Sequence, residues 1–381
     1  MKINIGKTAS IILALLMTTL VLASCDVDLS TLLPTIDKPT TSAKTTSTDP
    51  GAIYEVNAAY AADETMTKNL TGTLKELEKR SGGMIKINHR YSGSLIAYQD
   101  IPKGMTKKTA QWAYFPTTDY QDKFPLSCRI LQLPFMGLKN PIEAAEILMQ
   151  LFDEFPEMAE EMEQYNMMPI CVSPLWGANL HLIDKDEVHL PADLADRTIA
   201  PFKPELEPML EKHKAIISNT PPNQMSNSLK KETIDGYINC WSFTNWYNLQ
   251  SLAKQHVIAG ENGFYQEFLI CVVSIDYYNS LPEELQQLWH DLFRVEDISS
   301  FGNKRGYEYM WEETKNSIDA QVNYAKENKH IFVQLTNTEL KTWRDEMTAT
   351  HKATLKEIND QRGDEVATAI YNRAREIIAA K

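Results

Sequence analysis

The sequence predicts an α/β protein of two lobes, and three observations carry that reading. Strand-like and helix-like stretches alternate over residues 53–275, the pattern of a parallel sheet covered by helices. Some 330 residues follow the N-terminal segment, more than one usual core holds. From Pro282 onward the pattern becomes nearly all helical, broken only by HIFVQL at 330–335.

The first element is not part of the fold. Lys2 and Lys7 precede the apolar run ASIILALLMTTLVLA, the layout of a secretory signal over residues 1–24. The run stops near the roughly 20 residues a membrane-spanning helix needs. Its ending, Leu22-Ala23-Ser24-Cys25, resembles a bacterial lipobox, in which the cysteine receives a lipid. Cys25 is therefore the expected lipidation site and first mature residue; an ordinary signal with a chance cysteine is the alternative. Residues 25–51 are rich in Ser, Thr, Pro and Asp, too polar to bury a core, and read as a disordered tether. The expected location is extracytoplasmic, in the periplasm or at the cell surface, held to a membrane by lipid.

The folded part opens with a strand at 53–61. A helix near 64–81 carries Leu70, Leu74 and Leu77 on one face and stops at Gly82-Gly83. MIKINH (84–89) and AQWAYF (110–115) read as strands around the YSGSL loop. A helix from Asn140 to Pro156 and a second one precede the strand in MPICVSPLWG. Then come TIAPF, a helix near 204–213, AIIS, a short helix near 224–231, and IDGYINCW. No repeat is visible.

Charge and motifs exclude several functions. The chain carries −13, and so does the folded part, since the leader's and tether's charges cancel. That balance disfavours nucleic acid or anionic lipid as a partner. No zinc spacing, phosphate loop or G-x-S-x-G is present, and no cofactor is expected. Cys128, Cys171, Cys240 and Cys271 show no spacing that recommends a disulfide and read as buried thiols.

Several segments in order resemble the DctP-like solute-binding proteins of tripartite ATP-independent periplasmic (TRAP) transporters. They are RYSGSL (90–95), LPF (133–135), HLPADLADRTIAP (189–201), SLKKETIDGYIN (228–239) and NSLPEELQQLW (279–289). The resemblance implies two periplasmic-binding-protein-like lobes closing over a ligand, with a long helix, near 283–327, crossing both. Lobe 1 would be 52–176 with about 266–305, and lobe 2 would be 177–265 with about 306–381. It implies no enzyme, a small organic ligand, and membrane permease subunits as partners. A lipoprotein used in signalling or scaffolding, or an exported hydrolase, is the alternative.

The family's Gly-x-Arg motif grips a ligand carboxylate; here Asn179 follows Gly177-Ala178. A second family arginine ends the strand after the Asp-Leu turn, where this chain has Ala200, with Arg197 three residues earlier. Both positive groups are missing, so a ligand that is neutral or carries its charge elsewhere is expected. Asn239, in the family's Asp-Gly-x-x-Asn stretch, is the expected polar anchor. If the strand continues, Trp241 lies on its side as a flat wall for stacking, with Phe243, Trp246 and Tyr247 nearby; a core cluster is the other reading. In the first lobe, Ala61–Glu64, His89–Arg90 and Pro116–Tyr120 stand at strand ends, where open α/β sheets hold ligands. Glu64, Arg90 and Tyr120 are the ligand candidates there.

Overall fold

A computed structural model describes residues 51–184, 186–260, 262–293, 304 and 306–381. The leader, Cys25 and nearly all of the tether lie outside the described residues. The strands are β1 (Tyr54–Ala59), β2 (Ile85–Arg90), β3 (Trp112–Pro116), β4 (Met167–Pro174), β5 (Asn179–Leu182) and β6 (Thr198–Ala200). Then follow β7 (Ile216–Ile217), β8 (Gly236–Asn239), β9 (Gln255–Ile258), β10 (Phe268–Ser274) and β11 (Ile331–Gln334). The early helices are α1 (Lys68–Arg80), α2 (Ile101–Thr106), α3 (Pro125–Arg129), α4 (Pro141–Glu154) and α5 (Pro156–Glu163). Helices α6 (Glu207–Lys212), α7 (Met225–Lys230), α8 (Trp241–Trp246) and α9 (Ile275–Ser280) come next. The last are α10 (Glu283–Phe293), α11 (Gly306–Glu327), α12 (Asn337–Arg362) and α13 (Val366–Ala380).

Two sheets result. The first has the order β2-β1-β3-β10-β4 and the second β11-β9-β5-β8-β6-β7. Strands β1, β2 and β3 run parallel, with Tyr54 opposite Ile85 and Ala58 opposite Trp112. The expected all-parallel sheets do not form. Strand β10 is antiparallel to both β3 and β4, and β5 is antiparallel to both β8 and β9. The cause is that the chain passes to the second sheet after β4 and back to the first after β9, before a later passage to β11, so β5 and β10 enter their sheets from the far side.

The crossings are Leu175–Ala178, from β4 to β5, and 259–267, from β9 to β10. They run side by side: Ala178 N donates to Tyr265 O at 2.8 Å, and Leu175 N to Glu267 O at 3.2 Å. Gly177 sits here because a Cβ would lie 1.9 Å from the backbone carbonyl carbon of Asn262. Only hydrogen fits.

The helix expected over 283–327 is described as α10 and α11, and most of the residues joining them lie outside the described set. Helix α11 puts Tyr307 and Met310 into the large core under the first sheet, and Ile318 and Ala325 against Trp241. The clearest bridging element is α12. Trp343 and Met347 join the core of the second sheet, while Leu355 and Ile358 join the large core. Its 26 residues reach about 39 Å at 1.5 Å each. A Thr336–Glu339 capping box starts it and Gly363, at φ 79°, ends it.

A buried ion pair also joins the parts. Arg129 on α3 donates from Nε to Glu205 Oε1 at 2.8 Å and from Nη1 to Glu357 Oε1 on α12 at 3.0 Å. Glu205 stands beyond β6, on the second-sheet side. All four cysteines of the described residues are free and buried.

Candidate ligand cavity

Strand ends of both sheets converge on one cavity of about 380 Å³, within the range of small-molecule sites. Ala61, Ala62 and Asp63 enter from beyond β1, Pro116 and Asp119 from the end of β3, and Asn239 from the end of β8. Ser92 of the YSGSL loop lines it with φ 55°, and so does Phe202, also at φ 55°. A bulky residue in the left-handed region is rare and costs free energy, so its neighbours must hold it there.

The walls are aromatic. Tyr98 and Tyr114 line one side, and Phe202, Phe243, Trp246 and Tyr247 the other. Phe243 packs on both Phe202 and Tyr247, with ring centroids 4.9 and 4.7 Å apart. These rings form one continuous surface.

The charges are all acidic. Asp63 Oδ1 accepts from Thr65 Oγ1 at 2.6 Å and from the backbone of Thr65 and Met66, which holds its carboxyl below the usual range. Asp119 touches the solvent of the cavity but has protein on most sides, and that enclosure pushes its carboxyl up. Glu267 is 2 % exposed and its carboxyl is pushed up by burial. Thr118 Oγ1 donates to its Oε1 at 2.5 Å; Oε2, beside the Cys240 thiol, lacks a hydrogen bond of good geometry. Among the described residues no lysine, arginine or histidine lines the cavity. Lys203 lies behind the wall, fully buried, donating to Gln121 Oε1 and Cys128 O. Lys68 lines a neighbouring cavity of about 290 Å³ that shares Met66 and Trp246 with this one.

Of the residues expected from sequence, Asn239 lines the cavity. Its Oδ1 accepts from Cys240 N at 2.7 Å, which leaves Nδ2 as a donor for a ligand. The others stand elsewhere. Asn179 is fully buried opposite Asn239 in the β5–β8 pair, donating to Gly177 O at 3.1 Å. Ala200 lines a separate cavity with Lys203. Arg90 and Glu64 are exposed and outside the lining, Glu64 facing Lys75 at 3.8 Å. Arg197 is held by Asp184, Nη1 to Oδ2 at 2.6 Å. Tyr120 is buried behind the wall, donating to Tyr98 O at 2.8 Å.

Trp241 requires a correction. Strand β8 ends at Asn239, and Trp241 is the first residue of α8. The turn swings the indole away from the cavity into a buried cluster, 4.9 Å from His181, 4.6 Å from His256 and 6.2 Å from Phe332 between ring centroids. Its companions on the same helix, Phe243, Trp246 and Tyr247, supply the wall instead. The cavity residues that sequence reasoning did not single out include Met66, Tyr98, Tyr114, Phe202, Pro222 and Glu267. Glu267 sits directly before the apolar run FLICVVS, whose lack of alternation hid both the strand and the acid at its mouth.

Beneath Trp241 runs a chain of three histidines. His181 Nε2 contacts Asn239 O at 3.2 Å, His181 Nδ1 meets His256 Nδ1 at 2.8 Å, and His256 Nε2 meets His330 Nδ1 at 3.0 Å. A carbonyl can only accept, so His181 donates from Nε2 and accepts at Nδ1. His256 then donates from Nδ1 and accepts at Nε2 from His330. Burial lowers His181 to about 3 and His256 to about 2, so these imidazoles are neutral. Among the described residues no cluster of His, Cys, Asp and Glu could hold a metal, and no helix is long and apolar enough to cross a membrane.

Residues 56–357 match the family model described as bacterial extracellular solute-binding protein, family 7. No curated protein sequence matches the chain. Solved structures do. A TRAP periplasmic solute-binding protein from Desulfovibrio salexigens, in an open complex, aligns with a TM-score of 0.70 at 15% identity, over 86% of this chain and 96% of that one. A TRAP solute-binding protein from Rhodoferax ferrireducens, in complex with copurified benzoate, aligns with a TM-score of 0.69 at 16% identity, over 86% and 98%. A marine metagenome TRAP solute-binding protein specific for aromatic acid ligands, in complex with 3-hydroxybenzoate, gives 0.68 at 16%, over 86% and 99%.

Proposed function

The chain belongs to the family 7 bacterial extracellular solute-binding proteins, and from that premise we propose that it captures a small organic ligand in the cavity between its sheets and delivers it to TRAP membrane subunits. It is a receptor, not an enzyme. The observation that carries the reading is the cavity itself, whose lining comes from strand ends of both sheets. A ligand touching both sides favours the closed arrangement, and only a difference in affinity between open and closed forms can drive closure. The side-by-side crossings at 175–178 and 259–267 are the segments about which the sheets would turn, with lobe 1 at 52–176 and about 266–305.

Asn239 is the polar anchor and the Phe243–Trp246–Tyr247 face the stacking wall. Asn179, Ala200, Arg90, Tyr120 and Glu64 act, if at all, from behind or beside it. The lipid anchor at Cys25 belongs to the same proposal, supported by the leader and lipobox pattern: Cys25→Ser should abolish incorporation of a labelled fatty acid, and label retained in the variant would refute the anchor. Solution scattering tests capture on the whole soluble chain. A ligand should shrink the radius of gyration and raise the melting temperature with its concentration. An envelope unchanged at saturation would point instead to a rigid module for signalling or scaffolding.

A further inference from the structure

We infer that the ligand is an organic cation, an ammonium or quaternary ammonium of modest size, held by carboxylates and aromatic faces. The inference rests on the capture reading above and narrows it.

Among the described residues three carboxyls, Asp63, Asp119 and Glu267, line the cavity, and no basic side chain does. An anionic carboxylate entering here would leave water and meet like charges, with only neutral donors such as Asn239 Nδ2 to receive it. Removing an unpaired charge from water is among the largest unfavourable terms in protein energetics. The one buried ammonium nearby, Lys203, is fully buried behind the wall, hydrogen-bonded to Gln121 and Cys128 O. Arg90 and Arg197, the two residues placed to replace the missing arginines, do not reach the lining.

A cation meets the opposite conditions. Glu267, 2 % exposed, lines the cavity with Oε1 held by Thr118 and Oε2 enclosed beside the Cys240 thiol. A ligand ammonium at this wall would offset its charge. Asp119 is open to the cavity beside it, the residue after the Thr118 that bonds Glu267. Tyr98, Phe243, Trp246 and Tyr247 line the same cavity, and aromatic faces attract cations most strongly where water is excluded. Asn239 Nδ2 would serve a hydroxyl or carbonyl elsewhere on the ligand.

The test uses isosteres that differ in charge. Phenethylammonium, phenethyl alcohol and phenylacetate, with choline against tert-butylacetate, are compared by calorimetry and melting on the soluble chain. Native mass spectrometry of the chain isolated from its host identifies any bound molecule. At least one ammonium should bind, about tenfold or more tighter than its neutral and anionic counterparts, equal to about 1.4 kcal/mol or more. Asp119→Asn and Glu267→Gln should each remove most of that preference while leaving the alcohol unchanged. Asp119 is solvent-accessible, so its variant keeps the test intact if Glu267→Gln fails to fold. Tighter binding of phenylacetate or the alcohol, a bound anion in the isolated chain, or an ammonium preference that survives both substitutions overturns the charge assignment but leaves solute capture standing. No binding by any member, with nothing bound in the isolated chain, overturns both.

Discussion

At the scale of single residues, a two-residue turn decides what Trp241 does. Had β8 continued, alternation would have placed its indole beside Asn239; because α8 begins there, the indole packs on His181, His256 and Phe332 instead. Trp241→Ala should therefore cost about 3–5 kcal/mol of stability, the range for emptying a large aromatic site in a core. Trp246→Ala, at a half-buried position on the cavity wall, should leave unfolding nearer to wild type and weaken ligand binding by about 1–3 kcal/mol. Paired denaturant titrations and calorimetry check both, and a Trp241→Ala chain of full stability with lost binding would reverse the assignment. Asn239 was legible in the sequence because a motif marks it. The acids were only half legible. Asp63 and Asp119 fall within the strand-end stretches 61–64 and 116–120, but no spacing distinguishes a cavity carboxylate from a solvated one, and Glu267 has no local pattern at all.

At the scale of elements, hydrophobic periodicity located what alternates and missed what does not. Strands β1, β2 and β3 and helices α1 and α4 lie within four residues of the stretches read from sequence. Strand β10 is buried on both faces along its whole length, so FLICVVS offers no period to read. Its direction was hidden too, since antiparallel entry depends on a crossing made elsewhere in the chain. The histidine chain joining β5, β9 and the start of β11 is a second element-scale feature, and it makes the second sheet acid-sensitive. In the folded chain His256 stays neutral to about 2, whereas an unfolded histidine takes a proton near 6.5. Stability from this group is thus complete above pH 6.5 and declines as pH falls, by about 1.4 kcal/mol per unit. Glu161, pushed up to about 7, and the raised Asp119 and Glu267 act in the opposite sense, so the whole-chain profile mixes the two. The difference between wild type and His256→Gln removes that mixture. The stability gap should narrow by about 2 kcal/mol between pH 6.5 and 5 in urea titrations. A gap constant with pH would mean that His256 is protonated in the fold.

At the scale of the whole molecule, the Arg129–Glu205–Glu357 group ties both sides together, while two short segments and the helices α11 and α12 carry the chain across. Few covalent crossings and one long strut allow the sheets to move as units, which is the motion that the scattering experiment reads. The tryptophan distribution makes the same event visible in light. Of the chain's seven tryptophans, Trp112, Trp241, Trp289 and Trp343 are at most 2 % exposed, whereas Trp246 stands half-open on the cavity wall. Four indoles supply a steady blue-edge emission that ligand cannot reach, the half-buried Trp176 and Trp311 pack on each other outside the cavity lining, and Trp246 contributes a redder component that solvent and ligand compete to quench. Filling the cavity should blue-shift and dim that component alone, and the change should vanish in Trp246→Phe. The protein thereby carries its own fluorescent gauge of occupancy, readable without a dye.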